Sequence, residues 1–507
     1  LGGSQRHSLL RQLTLPLERL LRDDAAGTRA RTLVVGGLAL TTFLGAIFVH
    51  VVVRQSFLDN MDERNYLWLA RRLLEGRLTA EPLPAEFWDQ LWVYWRGHTA
   101  GGRLFTQYPV IWPAQAAIGV GVGAPWLVNA LLAAGVVVLV YHVAAAAYRD
   151  YRVALVTAVL TASSPFLVFQ AGTLLSHVST LFWLLLGTLL LLDGRRRLAS
   201  TPLLGAGLAY GLAFSTRPFD ALATALPIVT AMVAASRGDA QRVLRVLALV
   251  ACGTLVGLLP FFLYNAAITG NALTPTMTLF SGTVWVTSFA GWYASVGVVL
   301  EQLRAWRSWF LPAPFVLLTW VLLLRRGRMN PIDVMSGLII ICLVAAYSLN
   351  ATHYDIAGPR YHFTALVPAL LIWSRLAVTG SRRIAVIALL ASTGYFAQLH
   401  VRQGRLMRAE IHTKRALNIA VQRANLQRAV VLIPDGFQFG MFARDLLDNS
   451  PGLQGIVYAM DRGPGNASLL ARFPGVPVFR WPAGDRTWPG RLSPLRPDSV
   501  SPPHSIR

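Results

Sequence analysis

Asn60-Met61-Asp62-Glu63-Arg64-Asn65-Tyr66-Leu67-Trp68-Leu69-Ala70-Arg71 follows the first long apolar run of the chain, and its reading decides the rest. Tyr66, Leu69, Ala70 and Leu73 recur at three- and four-residue steps, which predicts an amphipathic helix from Asp62 onward. Asp62 and Tyr66, four apart, share one face of it. Asn60 is placed to cap that helix and Glu63 to complete a capping pair, and both acids suit the positive end of the dipole. Capping accounts fully for Glu63. It leaves Asp62 with an oxygen to spare.

The flanks of this stretch are membrane-like. Of 507 residues, 54% are hydrophobic and only 14% charged, too apolar for an ordinary soluble enzyme. Apolar runs of about twenty residues recur and predict a polytopic α-helical membrane protein. The net charge of +22 comes almost wholly from arginine, with Lys414 the single lysine. The arginines cluster in short stretches between apolar runs, which carries topology rather than a nucleic-acid-binding stripe. Cys252 and Cys342 lie inside apolar runs, so neither a disulfide framework nor a thiolate metal site is expected. Residues 1–31 read as a basic amphipathic lead-in on the cytoplasmic membrane surface, carrying Arg6, Arg11, Arg19, Arg22, Arg29 and Arg31.

About eleven spans are expected between residues 32 and 400. They lie near 32–53, 125–147, 152–170, 177–193, 201–215, 218–236, 243–264, 308–325, 332–349, 361–378 and 383–400. Arg149/Arg152, Arg195-Arg196-Arg197, Arg237/Arg242/Arg245, Arg325-Arg326/Arg328 and Arg382-Arg383 then all fall on the side of the N-terminus. The positive-inside rule makes that side cytoplasmic and puts the 54–124, 265–300 and 350–360 loops outside, with everything after 400. Beyond 400, an Arg-rich helix over 401–428 precedes three short strand-like runs, Val430-Val431-Leu432-Ile433, Gly455-Ile456-Val457-Tyr458 and Val476-Pro477-Val478-Phe479. Helix-like stretches near 437–447 and 467–472 separate them, so residues 401–481 are expected to form a small extracytoplasmic α/β domain. Residues 482–507, rich in Pro, Ser, Arg and Gly, read as a flexible tail.

This topology gathers polar residues on the outer side. Arg103, Gln107, Tyr108 and Pro109 end the first loop, ahead of Trp112-Pro113, and Ser176-His177 opens the fourth span. Thr216-Arg217-Pro218 lies at the next outer turn, and Thr269-Gly270-Asn271-Ala272-Leu273 follows Tyr264-Asn265. His353, Tyr354, Asp355 and Gly358-Pro359-Arg360-Tyr361-His362 complete the set. Asp62-Glu63-x-x-Tyr66 with Ala70-Arg71 resembles the first-loop motif of lipid-phosphate-dependent membrane glycosyltransferases of the GT-C class. The similar branch holds the protein O-mannosyltransferases and the aminoarabinose transferases of lipid A. Tyr108-Pro109 followed by Trp112-Pro113 resembles that family's membrane-dipping segment, though with single prolines. Thr216-Arg217-Pro218, Thr269-Gly270-Asn271-Ala272-Leu273 and Gly358-Pro359-Arg360-Tyr361-His362 resemble its later outer-loop segments. The resemblance covers residues 32–400, in order and on one face.

The resemblance implies a GT-C-type fold and makes Asp62 the catalytic carboxylate, with Glu63 beside it. Arg217, Arg360 and Arg103 are the expected donor-phosphate ligands. Tyr66, Gln107, Tyr108, His177, Asn271, His353 and Tyr361 are the expected substrate-pocket residues. An arginine at an outer edge also snorkels to headgroups, and Trp88, Trp92 and Trp95 also suit an interfacial belt. His353, Asp355 and His362 are the residues that could hold a divalent ion, but their spacing fits no standard signature and no metal site is assigned.

Charge sets the expected chemistry. Transfer from a polyprenyl-phosphate sugar turns a phosphodiester into a monoester, so negative charge grows on the leaving oxygen, where a guanidinium is suited to stabilise it. The acceptor hydroxyl must lose a proton, which Asp62 is placed to take. One displacement with one base predicts inversion at C1 in a hexosyl- or pentosyltransferase. Mannose, glucose, galactose and a pentose are open as the sugar, and protein, glycolipid and wall polysaccharide as the acceptor. The rival reading is a transporter or flippase of lipid-linked saccharides. That needs broken spans with charges at mid-membrane or an inverted repeat, and neither is visible in the sequence.

Overall fold

The computed structural model describes residues 24–81, 85–91, 96–99, 101–235, 239–279, 289–325, 327, 330–348, 357–434, 453, 455–481 and 491–495. The chain divides into two units, one of residues 1–49, 126–261 and 283–404, the other of 50–125, 262–282 and 405–507.

Every named element among the described residues of the first unit is a helix. Its first helix, Ala25–Phe48, is capped by Asp24, whose Oδ1 accepts from the Gly27 amide at 2.6 Å, so the helix begins inside the expected lead-in. Among the described residues, seven helical segments are long and apolar enough to cross a membrane: Ala25–Val53, Trp126–Tyr148, His177–Arg197, Ala240–Thr269, Pro331–Ser348, Arg360–Thr379 and Arg383–Lys414. Two bent pairs bring the number to as many as nine: Tyr151–Ser163 with Pro165–Ala171, at 53°, and Val296–Ser308 with Ala313–Arg325, at 84°. The two remaining expected spans are the short helices Ser200–Phe214 and Pro218–Ala235. Proline explains the first bend, since Pro165 has no amide to donate and starts a new helix. Broken helices, which the sequence reading did not find, are thus present.

Arg360–Thr379 is the most enclosed of the seven and Arg383–Lys414 the least. The core around it uses small side chains where helices approach, with Ala130, Ala133, Val136, Val137 and Val140 on one helix meeting Ala154, Leu160 and Phe166. The tightest approach joins Ser200–Phe214 to Ala240–Thr269. A Cβ on Gly207 would stand 2.0 Å from the Val250 carbonyl oxygen, and one on Gly253 would stand 2.1 Å from that of Leu204. Gly211 and Gly257 repeat the arrangement one turn on, at 2.5 Å from backbone oxygens of Thr254 and Leu208. No side-chain movement relieves a clash with backbone. Gly253→Leu is therefore expected to lower stability by about 1–3 kcal/mol, seen as a lower unfolding temperature in detergent. Gly36→Ala, with nothing within 4 Å of its added Cβ, should not lower it.

The second unit combines the first loop with the region after 404. Its strands are β1 (Arg96–His98), β2 (Leu104–Thr106), β3 (Ala429–Pro434), β4 (Ile456–Asp461), β5 (Val478–Arg480) and β6 (Ser493–Pro494). β1 and β2 form an antiparallel hairpin, while the other four make a sheet ordered β4-β3-β5-β6, with β3 parallel to both neighbours and β6 antiparallel to β5. Central position explains the unbroken apolar run of β3, all but fully buried. The helix Asn466–Ala471 falls where a helix was expected; the expected 437–447 helix and most of the tail lie outside the described residues. Trp68, Leu69, Phe87, Leu91, Phe105 and Tyr264 share one core with Val430, Leu432 and Val457. The first-loop segments, Tyr264 and the sheet are thus one packed body. Gln90 Nε2 donates to Asn466 Oδ1 at 3.0 Å within it.

Candidate functional site

In the second unit, the helix Met61–Leu74 starts where the sequence placed it, with Asn60 Oδ1 accepting from the Glu63 amide at 3.0 Å. The two adjacent acids have different environments. Glu63 is fully buried; its oxygens accept from Arg54 Nη1 at 2.8 Å and Nη2 at 2.6 Å, and from Asn60 Nδ2 at 2.8 Å. Arg54, also fully buried, pairs with Asp59 as well, and Lys414 Nζ lies 3.6 Å from Asp59 Oδ2. Burial alone would raise the Asp59 carboxyl, but Arg54, then Lys414 and hydrogen bonds hold it well below the usual carboxylate range. Burial likewise works against the Arg54 cation, and Glu63 and Asp59 overcome it and raise its basicity further. Glu63, expected as a second catalytic carboxylate, is enclosed by Arg54 and Asn60. The chain reaches this cluster through a π-helical turn, Val49–Val53, and two left-handed residues, Gln55 and Ser56, at φ 53° and 54°.

Asp62 is only partly buried and accepts a hydrogen bond from the Tyr108 hydroxyl. The Tyr66 ring lies 4.5 Å from that of Tyr108, so the shared face expected of Asp62 and Tyr66 is completed by a residue from the end of the first loop. Burial, then the Asp62 carboxylate, push the Tyr108 phenol well above its ordinary value, so it remains a donor at neutral pH. Tyr108 is fixed by its neighbours: Thr276 Oγ1 donates to the Gln107 carbonyl at 2.8 Å and Tyr264 Oη to that of Thr106 at 2.9 Å. Gln107 is buried. Arg103 is exposed and pairs with Glu81 at 2.9 Å and Thr79 at 2.7 Å, so solvent and Glu81 already balance its charge. Asn271 is exposed in a turn, its Oδ1 accepting from the Leu273 amide at 2.9 Å.

In the first unit, Arg217 precedes Pro218 and the helix it starts, which directs the guanidinium back on Asp220 one turn later, Nε to Oδ2 at 2.9 Å. Asp220 is fully buried and also accepts from the Tyr347 hydroxyl and, at 2.9 Å, from Thr364 Oγ1. Arg217 Nη2 donates to the Tyr347 hydroxyl at 2.8 Å. Arg360, 5% exposed, begins the 3₁₀ turn Arg360–Ala365. Both guanidiniums lie against the Tyr361 ring, at 5.7 Å for Arg217 and 5.0 Å for Arg360. His177 is buried, and its ring meets edge-on, at 6.2 Å, that of Phe363 in the turn that Arg360 begins. Arg217, Arg360, Tyr361 and His177 are therefore brought together, with Asp220, Tyr347 and Thr364 as members the sequence reading missed.

His353 and Asp355 lie outside the described residues, as do Trp92 and Trp95. Among the described residues no group of three or more metal-capable side chains occurs, and His362 Nδ1 is 3.2 Å from the Trp306 indole nitrogen.

No protein-family model matches the chain, and no curated protein matches its sequence. Among solved structures it is similar to ArnT from Cupriavidus metallidurans bound to undecaprenyl phosphate, at TM-score 0.55 and 15% identity, over 82% of this chain and 84% of that one. Apo ArnT from the same organism matches at 0.54 and 14%, over 90% and 93% of the two chains. The archaeal oligosaccharyltransferase AglB from Archaeoglobus fulgidus, in complex with an inhibitory peptide and a dolichol-phosphate, matches at 0.50 and 12%, over 83% and 64%. The chain has the GT-C fold, in a multi-pass membrane protein with a small sheet, as the acidic motif and the apolar runs led us to expect.

Proposed function

We propose that this protein is an inverting glycosyltransferase moving a sugar from a polyprenyl-phosphate-linked donor to an acceptor hydroxyl at the outer face of a bacterial inner membrane. The observation that carries the reading is the contrast between two neighbouring acids. Glu63 is enclosed by Arg54, whereas Asp62 is partly accessible, at a helix N-terminus, and oriented by the Tyr108 hydroxyl. A carboxylate held in one direction suits a general base, and orientation supplies much of its effect where basicity is modest. Arg217 and Arg360 take the donor phosphate, where two fixed guanidiniums stabilise the charge that grows as the glycosidic bond breaks. The fold is that of proteins whose solved structures hold undecaprenyl phosphate or dolichol-phosphate, which supports a lipid-phosphate donor. The arginine clusters support a cytoplasmic N-terminus and an outer C-terminal sheet.

The bent pairs supply broken helices, but their breaks hold Ser164 in one and Trp309-Phe310-Leu311-Pro312 in the other, with no ionisable side chain. That favours the enzyme over a flippase. Reconstituted protein given labelled polyprenyl-phosphate sugars should release lipid phosphate. Relocation of intact lipid across the bilayer would support the flippase instead.

Arg360 is the cleaner of the two guanidiniums to test, because losing Arg217 would also disturb Asp220. Arg360→Ala is expected to weaken donor binding about ten- to a hundred-fold, as a hydrogen bond to a charged group contributes ~1.5–3 kcal/mol. Titration with undecaprenyl phosphate in detergent reads this directly. An unchanged affinity removes Arg360 from the phosphate site.

A further inference from the structure

His177 is the first residue of the 21-residue helix His177–Arg197 and is 2% exposed. Neither Nδ1 nor Nε2 has a hydrogen-bond partner, and among the described residues no other imidazole is buried with both nitrogens in that state. A buried polar atom without a partner is unfavourable, and His177 holds two. The Phe363 ring meets it edge-on at 6.2 Å. Arg217 and Arg360 are its charged neighbours, and the first amides of the helix add a partial positive charge. A neutral imidazole offers one N–H and one lone pair.

A group with one donor and one acceptor is matched by a ligand that presents one of each. A fully ionised phosphate monoester has acceptors only. A glycosyl phosphodiester has phosphate oxygens to accept and, next to them, sugar hydroxyls to donate. We propose that His177 reads the sugar–phosphate junction of the donor, one ring nitrogen donating to a phosphate oxygen and the other accepting from a sugar hydroxyl. This rests on the lipid-phosphate reading above and adds a specificity-determining role to it. His177 distinguishes the loaded lipid from the bare lipid that transfer leaves behind, which favours exchange of product for fresh donor.

The test compares affinities of the full-length protein in detergent for undecaprenyl phosphate and for undecaprenyl-phosphate-linked mannose, glucose, galactose and arabinose. Wild type is expected to prefer at least one glycosylated lipid over the bare one. His177→Phe, which keeps a ring and removes both nitrogens, should reduce that preference about tenfold, roughly one hydrogen bond. His177→Gln, which keeps a donor and an acceptor, should retain most of it. A preference that is the same in His177→Phe and wild type overturns the assignment while the lipid-phosphate reading stands. Wild-type protein that binds no undecaprenyl phosphate overturns both. Should His177→Phe fail to fold, ring-nitrogen NMR of the wild type decides: the bare lipid should shift one His177 nitrogen, the matching glycosylated lipid both. Two nitrogens indifferent to either lipid reject the proposal.

Discussion

Asp62→Asn is expected to lower sugar transfer by about two to four orders of magnitude, while the protein folds and binds undecaprenyl phosphate as before. The substitution is nearly isosteric, and the amide oxygen can still accept from the Tyr108 hydroxyl, so the side chain keeps its direction. It also keeps the helix start intact, because Asn60 and Glu63, not Asp62, make the cap. On the proposed reading, the lost property is the capacity to take a proton from the acceptor as it attacks C1. Single-turnover measurement with donor and acceptor both saturating isolates that step from binding. Turnover within tenfold of wild type would show that Asp62 is not the base. A parallel loss of lipid affinity would instead make it a binding residue.

The acidic motif could be read from sequence because every term in it is local. A helix period, an Asn cap and an acid three residues on need no knowledge of the rest of the chain, and each is found where expected. β3 was legible for a similar reason, since a strand buried on both faces must be apolar without interruption. What encloses Glu63 was not. Arg54 reaches it across nine residues that follow a π turn and include two left-handed positions, and no helical or strand period spans such a path. Lys414 arrives at Asp59 from 355 residues away. Asp220 is an intermediate case: its three-residue spacing from Arg217 is an ordinary helix-pair signal, readable in principle, whereas the contributions of Tyr347 and Thr364 depend on packing. The different surroundings of Asp62 and Glu63 could only come from structure, because they depend on what covers each.

Arg54→Met should destabilise the protein by about 3–5 kcal/mol at neutral pH, the largest stability effect expected of any single change discussed. Met matches much of the volume, so packing is not the main loss. The substitution strands two carboxylates, Asp59 and Glu63, that are 7% and 0% exposed, with Lys414 near only the first. Its pH dependence has a distinctive sign. In the wild type Asp59 is held below its unfolded value of ~3.9, so its contribution is complete above that pH and is lost as pH falls through the folded value. Wild-type stability should therefore decline only below about pH 4. Without Arg54, burial dominates at Glu63 and its folded value rises above the unfolded one, so the variant binds protons on folding and grows more stable as pH falls from neutral towards about 5. Adding Glu63→Gln should recover part of the stability and remove that upward slope. Thermal unfolding in detergent from pH 4 to 8 distinguishes the cases, and variant and wild-type curves that run parallel would mean the buried cluster does not hold the acid helix in place.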